Sequence, residues 1–158
     1  MTFTVDTREP DEHPYAPFFS ADVRLVRGTL ETGDLCVAAL PDGVVVERKA
    51  VSDLYGCLGK ERERFERELI RSRYLGRLVV VVDGNMSDLL TLAHNRGGTL
   101  NVNSIIGTLA AWQRRYAPFF FAGSVRTAAE FTERLLRGQV KEIERTAKAI
   151  AKEASAAS

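Results

Sequence analysis

Short apolar runs, spaced by polar and turn-forming positions, divide this chain into alternating elements. Phe3 to Val5 reads as a short strand and Val23 to Val26 as another, with a two-proline loop or short helix, His13 to Phe19, between them. Leu35 to Leu40 is apolar, Val44 to Val46 is β-branched, and Pro41, Asp42 and Gly43 between them signal a turn. That pattern predicts a hairpin. Val51 to Leu58 begins a helix with Ser52 as its N-cap, and Lys60 to Arg73 continues helical, burying Phe65 and Leu69. Leu78 to Val82 is a continuous apolar strand of the kind covered on both faces. Met86 to His94 and Asn103 to Arg115 read as helices, joined by a turn at Arg96, Gly97 and Gly98. In the second, Ile105, Ile106, Leu109 and Trp112 recur at helical spacing, and Ile105, Leu109 and Trp112 read as core more readily than as interface. Ala117 to Phe121 is the last strand. Val125 to Arg137 and the amphipathic stretch Val140 to Lys152 are further helices, before a fraying Ala/Ser tail. This order predicts an α/β fold: a central sheet, mixed because of the hairpin, with helices on both faces.

The chemistry collects at the open end of the hairpin. Gly33 and Asp34 precede the first arm, and Glu47, Arg48 and Lys49 end the second, with Asp53 four residues beyond Lys49. Alternation along a strand puts Glu47 and Lys49 on one face and Arg48 on the other. Charged groups ending a buried strand are costly without partners. A divalent cation bridging Asp34 and Glu47 supplies one, because Mg²⁺ is commonly held by one or two carboxylates, waters and substrate phosphate. Lys49 beside it is placed to orient or help deprotonate water, or to neutralise charge on a phosphate. Singly, each acid is an ordinary strand-end residue and Lys49 its ion-pair partner. The joint spacing of Gly33, Asp34, Glu47, Arg48, Lys49 and Asp53 has no such folding explanation. Asp83 ends the later strand, where a turn before Gly84 is the plainer role and a further metal carboxylate the sharper one.

The set Gly33-Asp34, Glu47-Arg48-Lys49 and Asp53 resembles the signature of XPF-type nucleases, which include eukaryotic XPF and archaeal Hef and are distant relatives of the PD-(D/E)XK nucleases. Asp6, Thr7, Arg8 and Glu9, directly after the first strand, resemble the family's Asp-x-Arg-Glu segment. The likeness covers about residues 3 to 137 and implies a restriction-endonuclease-like fold. It implies a structure-specific DNA endonuclease that uses Mg²⁺ or Mn²⁺ and leaves 5′-phosphate and 3′-hydroxyl ends. Asp34 and Glu47 are then the metal ligands, with Asp6 lining the site as a third candidate. Lys49 is the catalytic lysine, and Arg48 and Asp53 support it. Arg8, Glu9, Arg48, Arg67 and Arg71 are the candidate DNA-contacting positions. The family also implies a homodimer through the nuclease domain, with Phe119 to Phe121 and the following helix as a candidate surface. Two departures stand out. The tandem helix-hairpin-helix module that follows the nuclease domain in the family is not expected before Ser158, so a separate DNA-gripping partner is. The family's Arg-x-x-x-Gln pattern is replaced by Arg62, Arg64, Phe65, Glu66 and Arg67. The alternative functions are a non-catalytic DNA-binding or scaffolding partner, which would be expected to lose the motif kept here, and a recombination or restriction nuclease on the same scaffold.

Composition narrows the picture further. The 158 residues are expected to form a single domain, with 138–158 as its C-terminal helix and frayed tail. Apolar content of 45% is ordinary for a globular chain. Net charge is +1, so no polycation coats DNA indiscriminately, yet Lys60 to Arg77 holds seven basic residues against four acidic ones. Part of that run is expected to pair as Glu63–Arg67 and Arg64–Glu68, and part to face phosphate. Cys36 and Cys57 lie in apolar stretches and are expected to be core thiols. His13 and His94 lack metal-ligand spacing and are expected at the surface or in turns. No signal peptide or membrane span is read, so a cytoplasmic or nucleoid-associated place is expected.

Overall fold

A computed structural model describes residues 1–75, 77–95 and 100–156, without the side chain of residue 95; the expected turn at Arg96, Gly97 and Gly98 lies outside them. Strand β1 (Thr2–Asp6) is followed by a 3-10 turn (Ala16–Phe18), β2 (Arg24–Gly28), β3 (Leu35–Val37) and β4 (Val44–Lys49). Then come α1 (Val51–Leu58), α2 (Arg62–Leu75), β5 (Arg77–Val82), α3 (Met86–Asn95), α4 (Val102–Arg115), β6 (Phe119–Phe121) and α5 (Val125–Ala156).

The strands form one sheet in the order β2-β1-β3-β4-β5-β6. The predicted hairpin forms, with Leu35 opposite Val46 and Cys36 opposite Val45. β3 also pairs antiparallel with β1, whereas β1–β2, β4–β5 and β5–β6 are parallel. Each face of the sheet buries its own core. On one face Cys36, Val45, Val80 and Val82 pack with Leu54, Phe65, Leu69, Ile105 and Trp112 from α1, α2 and α4. On the other, Phe3, Val5, Leu35, Val46 and Val81 pack with Tyr15 and with Ala128, Ala129 and Leu136 of α5. Two adjacent alanines let that helix lie close to the strands. Both cysteines are buried and free, as their apolar surroundings implied. No helix among the described residues is long and apolar enough to cross a membrane.

Three local expectations are corrected. Ser52 is not the cap of α1: the N-cap is Ala50, without a side-chain bond, because the chain passes from Lys49 into the helix through one residue. The helical stretch after it breaks at Gly59, whose backbone (φ −110, ψ −108) leaves the helical region, so α1 and α2 are separate. The two C-terminal helices are instead one of 32 residues. Gly138 does not interrupt it, and the Gln139 side chain beyond it accepts the Val44 amide of the hairpin. A side chain at Gly43 would strike the Gln139 amide at 2.3 Å and displace the group that bonds Val44.

Candidate active site

The open end of the hairpin brings three strands together. Asp34 is locked by its own backbone: its amide donates to the Val46 carbonyl (2.8 Å) and its carbonyl accepts the Asp6 amide (2.8 Å). Gly33 makes this possible, with φ +69 and with Val45 Cγ1 only 2.5 Å from where a Cβ would stand. One side-chain oxygen of Asp34 accepts the Arg48 amide at 2.7 Å. Since Val5 pairs with Leu35 and Leu35 with Val46, the next residues Asp6, Asp34 and Glu47 form a row across β1, β3 and β4. Glu47 is only 3% exposed and bonds Lys49 Nζ. The Lys49 ammonium lies 5.1 Å above the Phe65 ring, which α2 holds in the core.

Electrostatics mark this pair as unusual. Burial, then the Glu47 and Glu9 charges, push Asp34 up to about 8, against the Arg48 amide bond and Lys49. Burial also raises Glu47; Lys49 opposes that, while Glu68 and Glu9 add to it. Burial alone would lower Lys49, but the Glu47 carboxylate beside it prevails and holds the ammonium above its usual range. A buried pair of carboxylates served by one lysine is a standing cost. An oxygen-liganded divalent cation relieves that cost, so the donor set fits Mg²⁺ or Mn²⁺. Among the described residues, no group of three or more His, Cys, Asp or Glu is already arranged as a metal cage.

The other expected site residues take distinct places. Asp6 is buried, and its carboxylate accepts from the Arg8 amide (2.8 Å), Arg8 Nε (2.6 Å), an Arg8 terminal nitrogen (3.1 Å) and the Leu30 amide (2.7 Å). Burial works to raise Asp6, but these donors together prevail and hold it low. Arg8, 65% exposed, is thereby fixed over the site and interacts with the charges of Glu68 and Asp34. Arg48 points to the opposite face, as strand alternation requires. There it pairs with Asp83 (2.5 Å) and lies over Tyr15 (5.8 Å), whose hydroxyl donates to Asp83 at 2.8 Å. Asp83 thus lies in the bend before Gly84, the plainer of its two expected roles, and also anchors Arg48. Asp53 is exposed in the first turn of α1 and accepts from Ser52 Oγ. Arg67 and Arg71 are exposed on α2. Arg64 pairs with Glu61 rather than Glu68.

Sequence reasoning missed Glu68, which acts on Glu47 and Arg8 across space; its place one turn from Phe65 was the available signal. It also expected His13 at the surface or in a turn, whereas the structure buries it, and read Tyr15 only as part of a loop or short helix, whereas its side chain is fully buried.

This sheet and its helices are also found in solved structures. XPF from Aeropyrum pernix matches with a TM-score of 0.68 at 23% identity, covering 87% of this chain and 60% of that one. XPF from Aeropyrum pernix in complex with DNA matches with a TM-score of 0.70 at 24% identity, covering 89% and 66%. This chain therefore has the XPF nuclease-domain fold and spans less than two-thirds of each of these two XPF chains. No curated protein matches it. The ERCC4 domain model matches residues 5–135, which include every candidate site residue, and the chain belongs to the ERCC4 domain family.

Proposed function

We propose that this protein is a Mg²⁺- or Mn²⁺-dependent endonuclease that hydrolyses a phosphodiester in branched, flap or junction DNA, leaving 5′-phosphate and 3′-hydroxyl ends. The observation that carries this reading is the buried Asp34–Glu47 pair with Lys49 bonded to it. A neutral fold gains nothing from that arrangement, and a cation bound against a phosphate does. Asp34 and Glu47 would hold the metal, which supplies a water of lowered pKa and neutralises phosphate charge. Asp6 is left out of the ligand set because Arg8 and the Leu30 amide already occupy its oxygens. It positions Arg8 for a phosphate contact. Lys49 keeps its proton at neutral pH, so its role is to orient water and neutralise developing charge rather than to abstract a proton. Arg48, tied to Asp83 and Tyr15, braces the end of β4 from behind. Asp53 and Glu9 support the rim, and Arg67 and Arg71 extend it toward the DNA backbone.

Relatives support the substrate class, since one matched XPF structure is a complex with DNA. The retained motif favours this reading over a non-catalytic partner. The test is cleavage of labelled flap, fork, Holliday-junction and plain duplex DNA with Mn²⁺. Wild type is expected to cut branched substrates, and Asp34→Ala and Lys49→Ala are expected to fold normally and not cut. Cleavage by both variants would refute the site. We further propose a homodimer. Ile105, Leu109 and Trp112 are core residues and do not supply its surface. Ile143 and Ile150, 48% and 61% exposed along the end of α5, do.

A further inference from the structure

Two residues outside the chemistry above hold the loop that carries Arg8 and Glu9. Arg27 of β2 donates to the carbonyls of Thr7 (3.0 Å), Glu9 (2.6 Å) and Pro10 (3.0 Å), fixing the loop backbone. His13 closes the same loop from inside. It is 3% exposed, and its ring packs edge-on against Tyr15 with centroids 5.2 Å apart. The Tyr15 amide donates to His13 Nδ1 at 3.1 Å. In a neutral imidazole that bond assigns the proton to Nε2. Burial, aided by the charges of Arg48 and Arg27, keeps the ring neutral.

Nε2 is buried and has no hydrogen-bond partner among the described residues. The Glu9 carboxylate stands 3.7 Å from it and is itself about one-fifth exposed. Buried donors rarely remain unpaired without a reason. Glu9 itself is tied to the acidic row: its amide donates to the Asp6 carbonyl at 3.1 Å, and its charge acts on both Asp34 and Glu47. Three carboxylates repel one another, and a half-free glutamate would turn to solvent unless something opposed that. Arg27 holds the backbone of Glu9, and the imidazole N–H stands 3.7 Å from its side chain.

Resting on the metal-site reading above, we propose that His13 is a positioning residue. Its Nε2–H keeps the Glu9 carboxylate turned toward the Asp34–Glu47 pair, where the added negative charge strengthens cation binding. His13 touches neither metal nor DNA and acts through Glu9 alone. Supporting groups of this kind typically alter metal affinity about tenfold or more, and His13, one step further out, is expected to be worth roughly three- to tenfold.

The experiment is Mn²⁺ binding to the full chain by isothermal titration calorimetry, without DNA, with melting curves to confirm folding. His13→Leu keeps the burial and removes the donor; it should weaken Mn²⁺ binding by roughly three- to tenfold. His13→Gln should recover binding to within about twofold, because one amide can accept from the Tyr15 N–H and donate to Glu9. Glu9→Gln should weaken binding as His13→Leu does, and the double variant no further. Should the leucine variant fail to fold, ¹⁵N resonances of the wild-type ring decide: they must show the Nε2–H tautomer and must move in Glu9→Gln. Unchanged Mn²⁺ affinity in His13→Leu, additive losses in the double variant, or an Nδ1–H tautomer would each overturn the proposal. Binding that Asp34→Asn abolishes and His13→Leu leaves intact removes the role of His13 alone. A wild type with no Asp34-dependent binding removes the metal-site reading itself, and the proposal with it.

Discussion

Asp34 shows how much a single residue is asked to do. Its backbone ties β1 to β4, its carboxylate accepts an amide, and it still meets Glu47 in a dry setting. Its folded pKa of about 8 lies far above the ordinary 3.8, so the folded state binds more protons than the unfolded one between those values. The contribution of Asp34 to stability without metal is then expected to fall as pH rises from about 4 to 8 and to level off above that. Asp34→Asn keeps the Arg48 amide bond and removes the charge. It is expected to raise the metal-free melting temperature by several degrees at pH 8.5 and to have little effect near pH 4, read by scanning calorimetry. Millimolar Mg²⁺ should raise the wild-type melting temperature at pH 8 and leave Asp34→Asn unmoved. Gly33 is the partner of this design. Gly33→Ala, strained in backbone and crowded by Val45, is expected to cost about 1–3 kcal/mol in urea unfolding. Both residues were legible as a motif; the left-handed backbone that makes the glycine necessary was not.

At the level of elements, the short step from β4 into α1 decides which residues serve the site. Lys49 ends the strand, Ala50 caps the helix and Val51 begins it, so Lys49 stays on the face of Glu47 while Ser52 turns outward. Ser52→Ala is therefore expected to change stability by less than about 0.5 kcal/mol, where a true cap would cost about 1. α2 divides its residues between two tasks. Phe65 and Leu69 fill the core beneath Lys49, and Arg67 and Arg71 face solvent. Replacing both arginines by alanine should weaken duplex binding and make it less salt-dependent, with the slope of log affinity against log salt falling by about 1 to 2 in fluorescence anisotropy. Folding should be untouched. An unchanged slope would remove these residues from the DNA face.

For the molecule as a whole, the feature the sequence least prepared is the length of α5. Its first half is buried through Ala128, Ala129, Thr132 and Leu136; residues 141–156 are exposed. Isolated helices of about 12–15 residues are marginal in water, so this overhang gains from a partner. Val140, Ile143, Ala147 and Ile150 keep the 3-4-3 spacing of a coiled-coil seam. Sedimentation velocity is expected to show a dimer for wild type and a monomer for the Ile143→Glu, Ile150→Glu double variant, with the melting temperature of the domain nearly unchanged. A wild-type monomer at micromolar concentration would end the dimer reading.

Periodicity determined the strands, most helices and the hairpin, because alternation and turn chemistry act within a few residues of one another. Local spacing also determined that Asp34 meets Glu47 and Lys49, since one turn closes the distance. It did not reach Asp83 and Tyr15, separated by 68 positions, nor Glu68, nor the burial of His13. Those depend on which loop folds over which strand, and only the packed sheet places them. The site's dryness, and hence the high pKa of Asp34, is likewise a property of that packing, because desolvation is set by everything that surrounds a charge rather than by its neighbours in the chain.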